Sequence, residues 1–172
     1  MSETMEKMLT RRSIRRYEDK AVPRDKLERI IEAGTYAATA MNKQSPIIIA
    51  VTDKAVRDRL SVMNAKVMGA DTDPFYGAPV VLVVLADKEN PNRVYDGSLV
   101  MGNLMLAAHD EGLGSCWIHR AKQEFETPEG KELLAKLGIE GEYEGIGHCI
   151  IGYAAEEPEA KPRKENYVYW IE

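Results

Sequence analysis

The chain has too few cysteines and too short an apolar run for two broad classes of protein. Its two cysteines, Cys116 and Cys149, cannot build a disulfide framework across 172 residues. The longest apolar run covers residues 79–86, far fewer than the ~20 residues that cross a bilayer. The N-terminal segment has no apolar region of the kind that a signal peptide carries. We therefore expect a cytoplasmic protein with no membrane segment.

Positive charge is also in short supply. Lysine and arginine total 23 against 28 aspartates and glutamates, which gives a formal net charge of -5. Nucleic-acid affinity depends on a basic face that contacts phosphates, so we expect no nucleic-acid partner. The 44% hydrophobic and 30% charged fractions are ordinary for a globular protein. The length predicts a single domain over residues 1–172.

Side chains that usually carry chemistry are scarce or scattered. His109, His119 and His148 lack ligand spacing with the cysteines, so no metal site is expected. Cys116 lies in an apolar strand pattern and is expected to be an inert buried thiol, although His119 follows three residues later. The glycine-rich residues 112–115 follow a helix and do not match a dinucleotide-binding pattern. A bound cofactor is therefore expected to carry the reaction.

The positive charge that is present is concentrated at two distant places. Four arginines lie within residues 11–16, and a second basic cluster covers residues 161–164. Guanidinium groups stay charged and bind phosphate oxygens through paired N–H bonds. Two cationic clusters in an anionic protein favour a shared anionic ligand. The alternative is that both clusters are solvated surface.

Hydrophobic periodicity predicts helices that alternate with short strands. Apolar residues from Leu27 to Gly34 recur at helical spacing, which predicts a helix that Pro23 opens. The continuous apolar residues 80–85 predict a strand buried on both faces. Further helices are predicted after Ser2 or Thr4, after Asp53, over residues 92–111 and from Thr127, and further strands over residues 47–52, 115–118 and 148–152.

The C-terminal tail has a composition of its own. Residues 156–164 are proline-rich and charged, which predicts an extended segment. Residues 167–171 are aromatic and β-prone. An apolar strand after an extended arm completes either its own sheet or that of a neighbouring subunit. The sequence leaves both possibilities open.

Four segments, taken in order, resemble motifs of the nitroreductase family of FMN-dependent oxidoreductases, particularly its short members. Residues 11–15 (RRSIR) resemble the RRS-x-R motif, and residues 37–44 (AATAMNKQ) resemble the A-P-S-x-x-N-x-Q loop. Residues 112–118 match the GLGSCWI segment, and residues 152–163 resemble the GYP…KPR ending. Together they span nearly the whole chain, and the ordered set is specific.

The resemblance implies a fold and an assembly. The fold is α+β, a nitroreductase-like and mainly antiparallel sheet flanked by helices. The chain would form a homodimer with an exchanged C-terminal strand and two sites at the subunit interface. Each site would bind FMN, with NADH or NADPH as the electron donor.

The resemblance also assigns residues to the FMN phosphate. Arg11, Lys161 and Arg163 would bind the phosphate itself. Arg12 and Ser13 would hold phosphate and ribityl oxygens. The neighbouring Arg16 and Lys164 are expected to be solvated.

A second set of residues is implied around the flavin ring. Arg15 would approach the N1–O2 edge, where a cation stabilises the negative charge of a reduced flavin. Asn64 is one candidate for the asparagine that some relatives use on the pyrimidine edge. The remaining ring contacts are Ala38, Thr39, Ala40, Asn42 and Gln44 from the other subunit, and Trp117, Ile118 and His119 at a strand end, with a backbone N–H directed toward N5.

The chain departs from the family pattern on one side of the ring. Ala38 and Thr39 stand where the family has proline and serine, and no tryptophan follows Gln44. Asn42 and Gln44 also fit a turn without a ligand. Trp117 also fits a plain core position.

The predicted function is a ping-pong oxidoreductase. NAD(P)H would give hydride to flavin N5 and leave, and an electron-poor nitroaromatic, quinone or enone would then take the electrons. Short connections over residues 66–76 and 87–92 leave little lid, which suits an open, flat site. Two alternatives remain: a flavin-binding relative with other chemistry, such as a reductive dehalogenase or a flavin-consuming enzyme, and a non-enzymatic binder of nucleic acid or an anionic protein through residues 11–16.

Overall fold

The computed structural model describes residues 1–172, which form six α-helices and four β-strands. None of the helices combines the length and apolar character that are needed to span a bilayer. A 3₁₀ turn at Ala40–Asn42 precedes the first strand. The helices are α1 (Glu3–Thr10), α2 (Arg24–Thr35), α3 (Lys54–Met68), α4 (Arg93–Asp110), α5 (Ala121–Glu126) and α6 (Pro128–Lys136). The strands are β1 (Pro46–Val51), β2 (Val80–Asp87), β3 (Gly114–Ile118) and β4 (Tyr143–Gly152).

Local capping chemistry sets where several helices begin. The Ser2 side chain accepts the Met5 N–H at 3.4 Å, and the Asp53 carboxylate accepts the Val56 N–H at 2.9 Å. Both interactions satisfy donors that the first turn of a helix leaves free. Pro23 lies one residue ahead of α2, so it is the N-cap rather than the first helical residue. The helices predicted from sequence are confirmed, with starts that shift by about one residue.

The four strands form one antiparallel sheet in the order β1-β2-β4-β3. β2 lies inside the sheet, and its residues 80–86 are all buried because helices cover both faces. This double burial explains why β2 is continuously apolar rather than alternating. The predicted α+β class, with a mainly antiparallel sheet flanked by helices, is confirmed.

Alternate side chains of β2 point into two cores. Leu82 belongs to the cluster that contains side chains of α2 and α4, including Leu27 and Ile30 of the predicted stripe. The adjacent Val83 belongs to the cluster that contains side chains of α3, α5 and α6. The second cluster places α3 and α5 on one side of the sheet, where they flank the end of β3.

Two elements differ from the sequence prediction. β4 begins at Tyr143 rather than at His148. Its early residues Gly145 and Gly147 weaken a strand pattern, yet they allow close packing. Cβ atoms added there would lie 2.3 Å from the Ala121 backbone and 2.5 Å from the Trp117 ring. α5 went unpredicted because its six residues are too few to show helical periodicity.

The C-terminal tail leaves the sheet and forms no strand with it. Residues 156–172 contain neither helix nor strand, and residues 167–171 are exposed, with Trp170 at 83%. The possibility that this segment completes its own sheet is therefore wrong for this chain. Exchange with a second subunit stays a prediction.

Candidate functional site

The arginine-rich segment runs along the free edge of β3. The Ile14 N–H donates to the Ser115 carbonyl at 2.9 Å, and Ser13 forms a parallel bridge with Ser115. The buried Ile14 side chain packs on Gly114, where an added Cβ would lie 2.9 Å away. A side chain at position 114 would push the segment off the strand. The fold thus brings the first and third sequence motifs together.

The start of the tail lies against the same segment. Tyr17 forms an antiparallel bridge with Ala154, and the Ala155 N–H donates to the Arg16 carbonyl at 2.9 Å. The Arg15 N–H donates to the Glu156 carboxylate at 2.5 Å. Three of the four motifs therefore meet at this edge of the sheet.

Arg11 holds a buried nitrogen with no partner at this meeting point. Its backbone N–H ends α1 by donating to the Lys7 carbonyl, whereas its side-chain Nη1 is buried and makes no hydrogen bond. A buried charged donor without an acceptor is costly, because it has lost water and gained nothing in exchange. The position therefore favours an anionic group beside Arg11.

Arg12 has a structural role that the sequence analysis did not anticipate. Its Nη1 donates to the carbonyls of Leu9 and Arg11, both at 2.8 Å. These are carbonyls at the end of α1, which basic side chains commonly satisfy. Phosphate contact by Arg12 stays a prediction, and it would involve the guanidinium nitrogens other than Nη1.

Two side chains near this edge are expected to be neutral. Burial raises the pKa of the Cys116 thiol, and Arg15 and Ser13 oppose only part of that rise. Burial lowers the pKa of His109, an effect to which the charges of Lys7 and Arg11 add, and its ring nitrogen lies 2.9 Å from Thr10 Oγ1. Neither side chain is prepared as a nucleophile or as a cation.

Lys161 and Arg163 lie in the exposed tail. Arg163 donates to the Lys161 carbonyl at 2.7 Å, and neither side chain hydrogen-bonds to residues 11–15. A groove of about 760 Å³ lies between the end of α1 and the tail, with Arg12, His109, Ser115 and Glu156 in its lining. The phosphate clamp that joins both ends of the chain stays a prediction.

The 38–45 loop, which contains all but the first residue of the second motif, has an unusual backbone. Met41, Asn42 and Gln44 have φ values of 52°, 53° and 50°, in the left-handed region that non-glycine residues rarely adopt. The Thr39 hydroxyl accepts the Gln44 N–H at 3.1 Å, and the Gln44 amide donates to Asn42 Oδ1 at 3.1 Å. Strained residues persist where the surroundings hold them, and they cluster at ligand-binding segments.

Two buried polar residues that the sequence analysis missed hold this loop. The Asp96 carboxylate, 3% exposed, accepts the Ala40 N–H at 2.9 Å and the Asn90 amide at 2.8 Å. The Asn90 amide also donates to Ser45 Oγ at 2.7 Å. Both ends of the loop are thus fixed to the start of α4. A carboxylate on an otherwise apolar stretch of α4 was the available signal.

The end of β3 presents a partly exposed tryptophan. Trp117 is half-buried, and its Nε1 donor is buried with no hydrogen-bond partner. The Ile118 side chain lies in the core, so only its backbone is available to line a site. His119 contributes its carbonyl to a hydrogen bond with Asn64. Ring contact by these three residues stays a prediction.

Asn64 is fully buried, and its amide is committed to protein groups. Its Nδ2 donates to the His119 carbonyl at 2.8 Å and to the Glu124 carboxylate. Its Oδ1 accepts from Arg120 Nε at 2.9 Å. Both ends of the amide are occupied, which leaves little capacity for the pyrimidine edge of a flavin. The turn it contacts lines a cavity of about 230 Å³ together with Trp117.

Comparison with known proteins places these features in a family. A model of the nitroreductase family matches residues 8–153. A protein of Archaeoglobus fulgidus, provisionally named a NADH dehydrogenase/NAD(P)H nitroreductase, is 32% identical over 139 residues, 78% of this chain and 77% of that protein. A protein of Methanothermobacter thermautotrophicus with the same provisional name is 29% identical over 67% of this chain, a match that spans only 60% of its own length.

The fold comparison agrees. The crystal structure of a nitroreductase with bound FMN from Bacteroides fragilis superimposes with a TM-score of 0.91 and 25% identity, and the match covers 100% of both chains. The sheet, the helices and the segments that meet at β3 all lie within the matched region. Because the family model covers most of the sequence, this chain belongs to the nitroreductase family.

Proposed function

We propose that this protein is an FMN-dependent oxidoreductase that takes reducing equivalents from NADH or NADPH and passes them to an electron-poor small molecule. The observation that carries the proposal is the buried, unpartnered Arg11 Nη1 at the point where three motifs meet. The FMN bound by the Bacteroides fragilis nitroreductase supports the choice of ligand.

The residues at this edge fit the phosphate end of FMN. Arg11 would donate charge-assisted hydrogen bonds to the phosphate, with Ser13 beside it. Lys161 and Arg163 would add two cations from the tail, where both are exposed and free of ion pairs. Charge complementarity suits a phosphate dianion and explains why an acidic protein concentrates arginine here.

The ring end of the proposed site has a different chemistry. When bound, FMN supplies the capacity to accept and donate hydride at its N5. Arg15 is exposed and would stabilise negative charge at the N1–O2 edge. The Trp117 Nε1 is a second donor without a partner, and it lies at the end of β3. The backbone of residues 117–119 would line the ring.

We propose that the site is completed in a homodimer. The apolar residues 167–171 are exposed in the single chain, and the apolar side chains Met5, Met8 and Leu9 of α1 are exposed as well. An exposed apolar tail that pairs with nothing in its own chain suits strand exchange with a second copy. The strained 38–45 loop of each chain would then contact the other chain's flavin.

The acceptor is proposed to be a quinone, a nitroaromatic compound or an enone. The connection from β2 to α4 is short, and residues 69–79 between α3 and β2 contain no helix or strand. No side chain of the proposed site is placed as a dedicated proton donor to a substrate. An open site of this kind suits flat acceptors whose protons come from water.

The test begins with the visible spectrum of the purified protein and FMN titration of flavin-free protein. We expect one FMN per chain, anaerobic bleaching by NADH or NADPH, and recovery of the colour with menadione. FMN binding without reduction by either nucleotide would favour a relative with other chemistry. A colourless protein that takes up no FMN would contradict the proposal. An RNA gel shift at low salt would then favour a non-enzymatic protein that binds nucleic acid through residues 11–16.

A further inference from the structure

We propose that Asn64 is a positioning residue that fixes the backbone turn at the end of β3, next to the reactive edge of the flavin. The inference rests on the function proposed above, because it concerns how that site is built. Asn64 does not line the cavity at this strand end. It acts through the two residues that do, His119 and Arg120.

The turn has a conformation that needs support. β3 ends at Ile118 and α5 begins at Ala121, so only two residues reverse the chain. Arg120 has φ 81° and ψ 0°, in the left-handed region that favours glycine. A non-glycine residue stays there only where its neighbours determine the backbone.

Asn64 provides that support from α3. Its amide nitrogen holds the His119 carbonyl at 2.8 Å, and its amide oxygen accepts from Arg120 Nε at 2.9 Å. One fully buried side chain thus holds two successive residues of the turn. An amide carries its donor and its acceptor on separate atoms, so one asparagine can hold a carbonyl and a guanidinium at the same time.

The second hydrogen of the Asn64 amide is also used. It is donated to Glu124, a fully buried residue of α5 whose carboxylate lies 3.3 Å from His148 Nε2 on β4. The absence of a side chain at Gly145 lets the Ala121 backbone pack against β4. The amide is therefore locked to α5 and the sheet, and it has no freedom to follow the turn if the turn moves.

This arrangement is more elaborate than packing alone requires. Burying an amide, a carboxylate and an imidazole is costly unless their partners are well placed. Apolar residues would hold α3 against α5 without that cost. The Asn64 amide, whose nitrogen and oxygen are both hydrogen-bonded, instead fixes one conformation of the turn. Hydride transfer depends on a fixed geometry, because a misplacement of the reacting groups by about 1 Å lowers the rate by roughly a hundredfold.

Three variants and a matched control test the role. Asn64→Ala removes the whole support. Arg120→Ala keeps the strained backbone but loses the anchoring side chain, whereas Arg120→Gly relieves the strain. Asn103→Ala is the control, because Asn103 also donates from a helix to a backbone carbonyl, that of Ala33, at 2.9 Å and away from this turn.

The first measurement uses flavin-free protein. Hydrogen exchange at residues 118–121 is expected to accelerate in Asn64→Ala and Arg120→Ala and to stay near the parental rate in Arg120→Gly and Asn103→Ala. Equal exchange in Asn64→Ala and parent would overturn the positioning role. This result holds whether or not the parent binds FMN, so it separates failure of the inference from failure of the proposed function.

The second measurement uses protein saturated with FMN. The rate of flavin reduction by the preferred nucleotide is expected to fall roughly ten- to a hundredfold in Asn64→Ala, with a shifted flavin midpoint potential and a much smaller change in the Kd for FMN. Arg120→Gly should recover most of the rate that Arg120→Ala loses. Asn103→Ala should lower the melting temperature alone. If Asn64→Ala matches Asn103→Ala in rate and potential, Asn64 is only structural.

Discussion

Replacing Arg11 with methionine should change ligand binding and protein stability in opposite directions. The buried Nη1 of Arg11 makes no hydrogen bond in the flavin-free chain. Methionine has a similar length and no donor, so Arg11→Met removes the unpartnered donor while keeping most of the packing. The FMN-binding strength should fall and the stability of the flavin-free protein should rise.

The size of each effect follows from hydrogen-bond energetics. A charge-assisted bond to a phosphate contributes about 1.5–3 kcal/mol, and each 1.4 kcal/mol changes Kd tenfold, so the Kd for FMN should rise roughly 10- to 140-fold per bond lost. Relief of an unsatisfied buried donor should stabilise the flavin-free protein by about 1 kcal/mol. For a chain of this size, that corresponds to a melting temperature about 2–4 °C higher.

Arg12→Met is the matched control, and its effect on stability should be opposite to that of Arg11→Met. Arg12 caps the end of α1 through two hydrogen bonds of 2.8 Å. Its loss should destabilise the flavin-free protein by about 1 kcal/mol and weaken FMN binding less than Arg11→Met does. Scanning calorimetry and FMN fluorescence titration measure the two quantities.

Two results would refute the reasoning on Arg11. If Arg11→Met binds FMN as tightly as the parent, the residue does not contact the phosphate. If it destabilises the flavin-free protein, then Nη1 is not an uncompensated donor in the free chain. Either result would leave the family membership intact and remove the assigned anion position.

Three further changes probe other parts of the chain. Arg163→Ala should raise the Kd for FMN in a salt-dependent way with no change in the melting temperature of flavin-free protein, since the side chain is exposed; a lower melting temperature would point to a structural role. Deletion of residues 165–172 should convert a dimer to a monomer in sedimentation velocity without loss of helix by circular dichroism, and a persistent dimer would reject the exchanged strand. Burial acts to raise the pKa of Asp73, but Arg57 and neighbouring donors outweigh it and hold that pKa below 3.8. The stability from this shift is therefore present above pH 3.8 and is lost as pH falls through the lowered pKa. Asp73→Asn should therefore reduce the loss of stability at acid pH, measured by urea unfolding at a series of pH values. An unchanged loss would contradict this.

Sequence reasoning was most successful where one physical signal dominates. The apolar residues of β2 have a single explanation, burial on both faces, and the structure confirms it. The ordered motifs specified which segments belong together, and the Ser13–Ser115 bridge brings two of them into contact. The aromatic tail kept two alternatives because a β-prone segment does not indicate which chain supplies its partner.

Features that depend on distant partners are only weakly indicated by the sequence. Asp96 is marked in the sequence only as a carboxylate among apolar residues, and Asn64 only through the family resemblance. Their roles come from Ala40 and Arg120, which are remote in sequence. The early part of β4 was missed because Gly145 and Gly147 disfavour strands unless another element packs closely there. Buried polar pairs of this kind are visible only after the chain is folded.

The two segments proposed to contact the flavin ring are both held in an unusual backbone conformation by a buried polar side chain. The 38–45 loop contains three non-glycine residues at positive φ and is held by the buried Asp96. The turn after β3 contains Arg120 at positive φ and is held by the buried Asn64. Strain that is fixed by buried hydrogen bonds exists before any ligand arrives, so the ring contacts are preorganised and FMN need not supply the energy to shape them. The tail cations have no such support, and we therefore expect the phosphate clamp to be the part that becomes ordered when FMN binds.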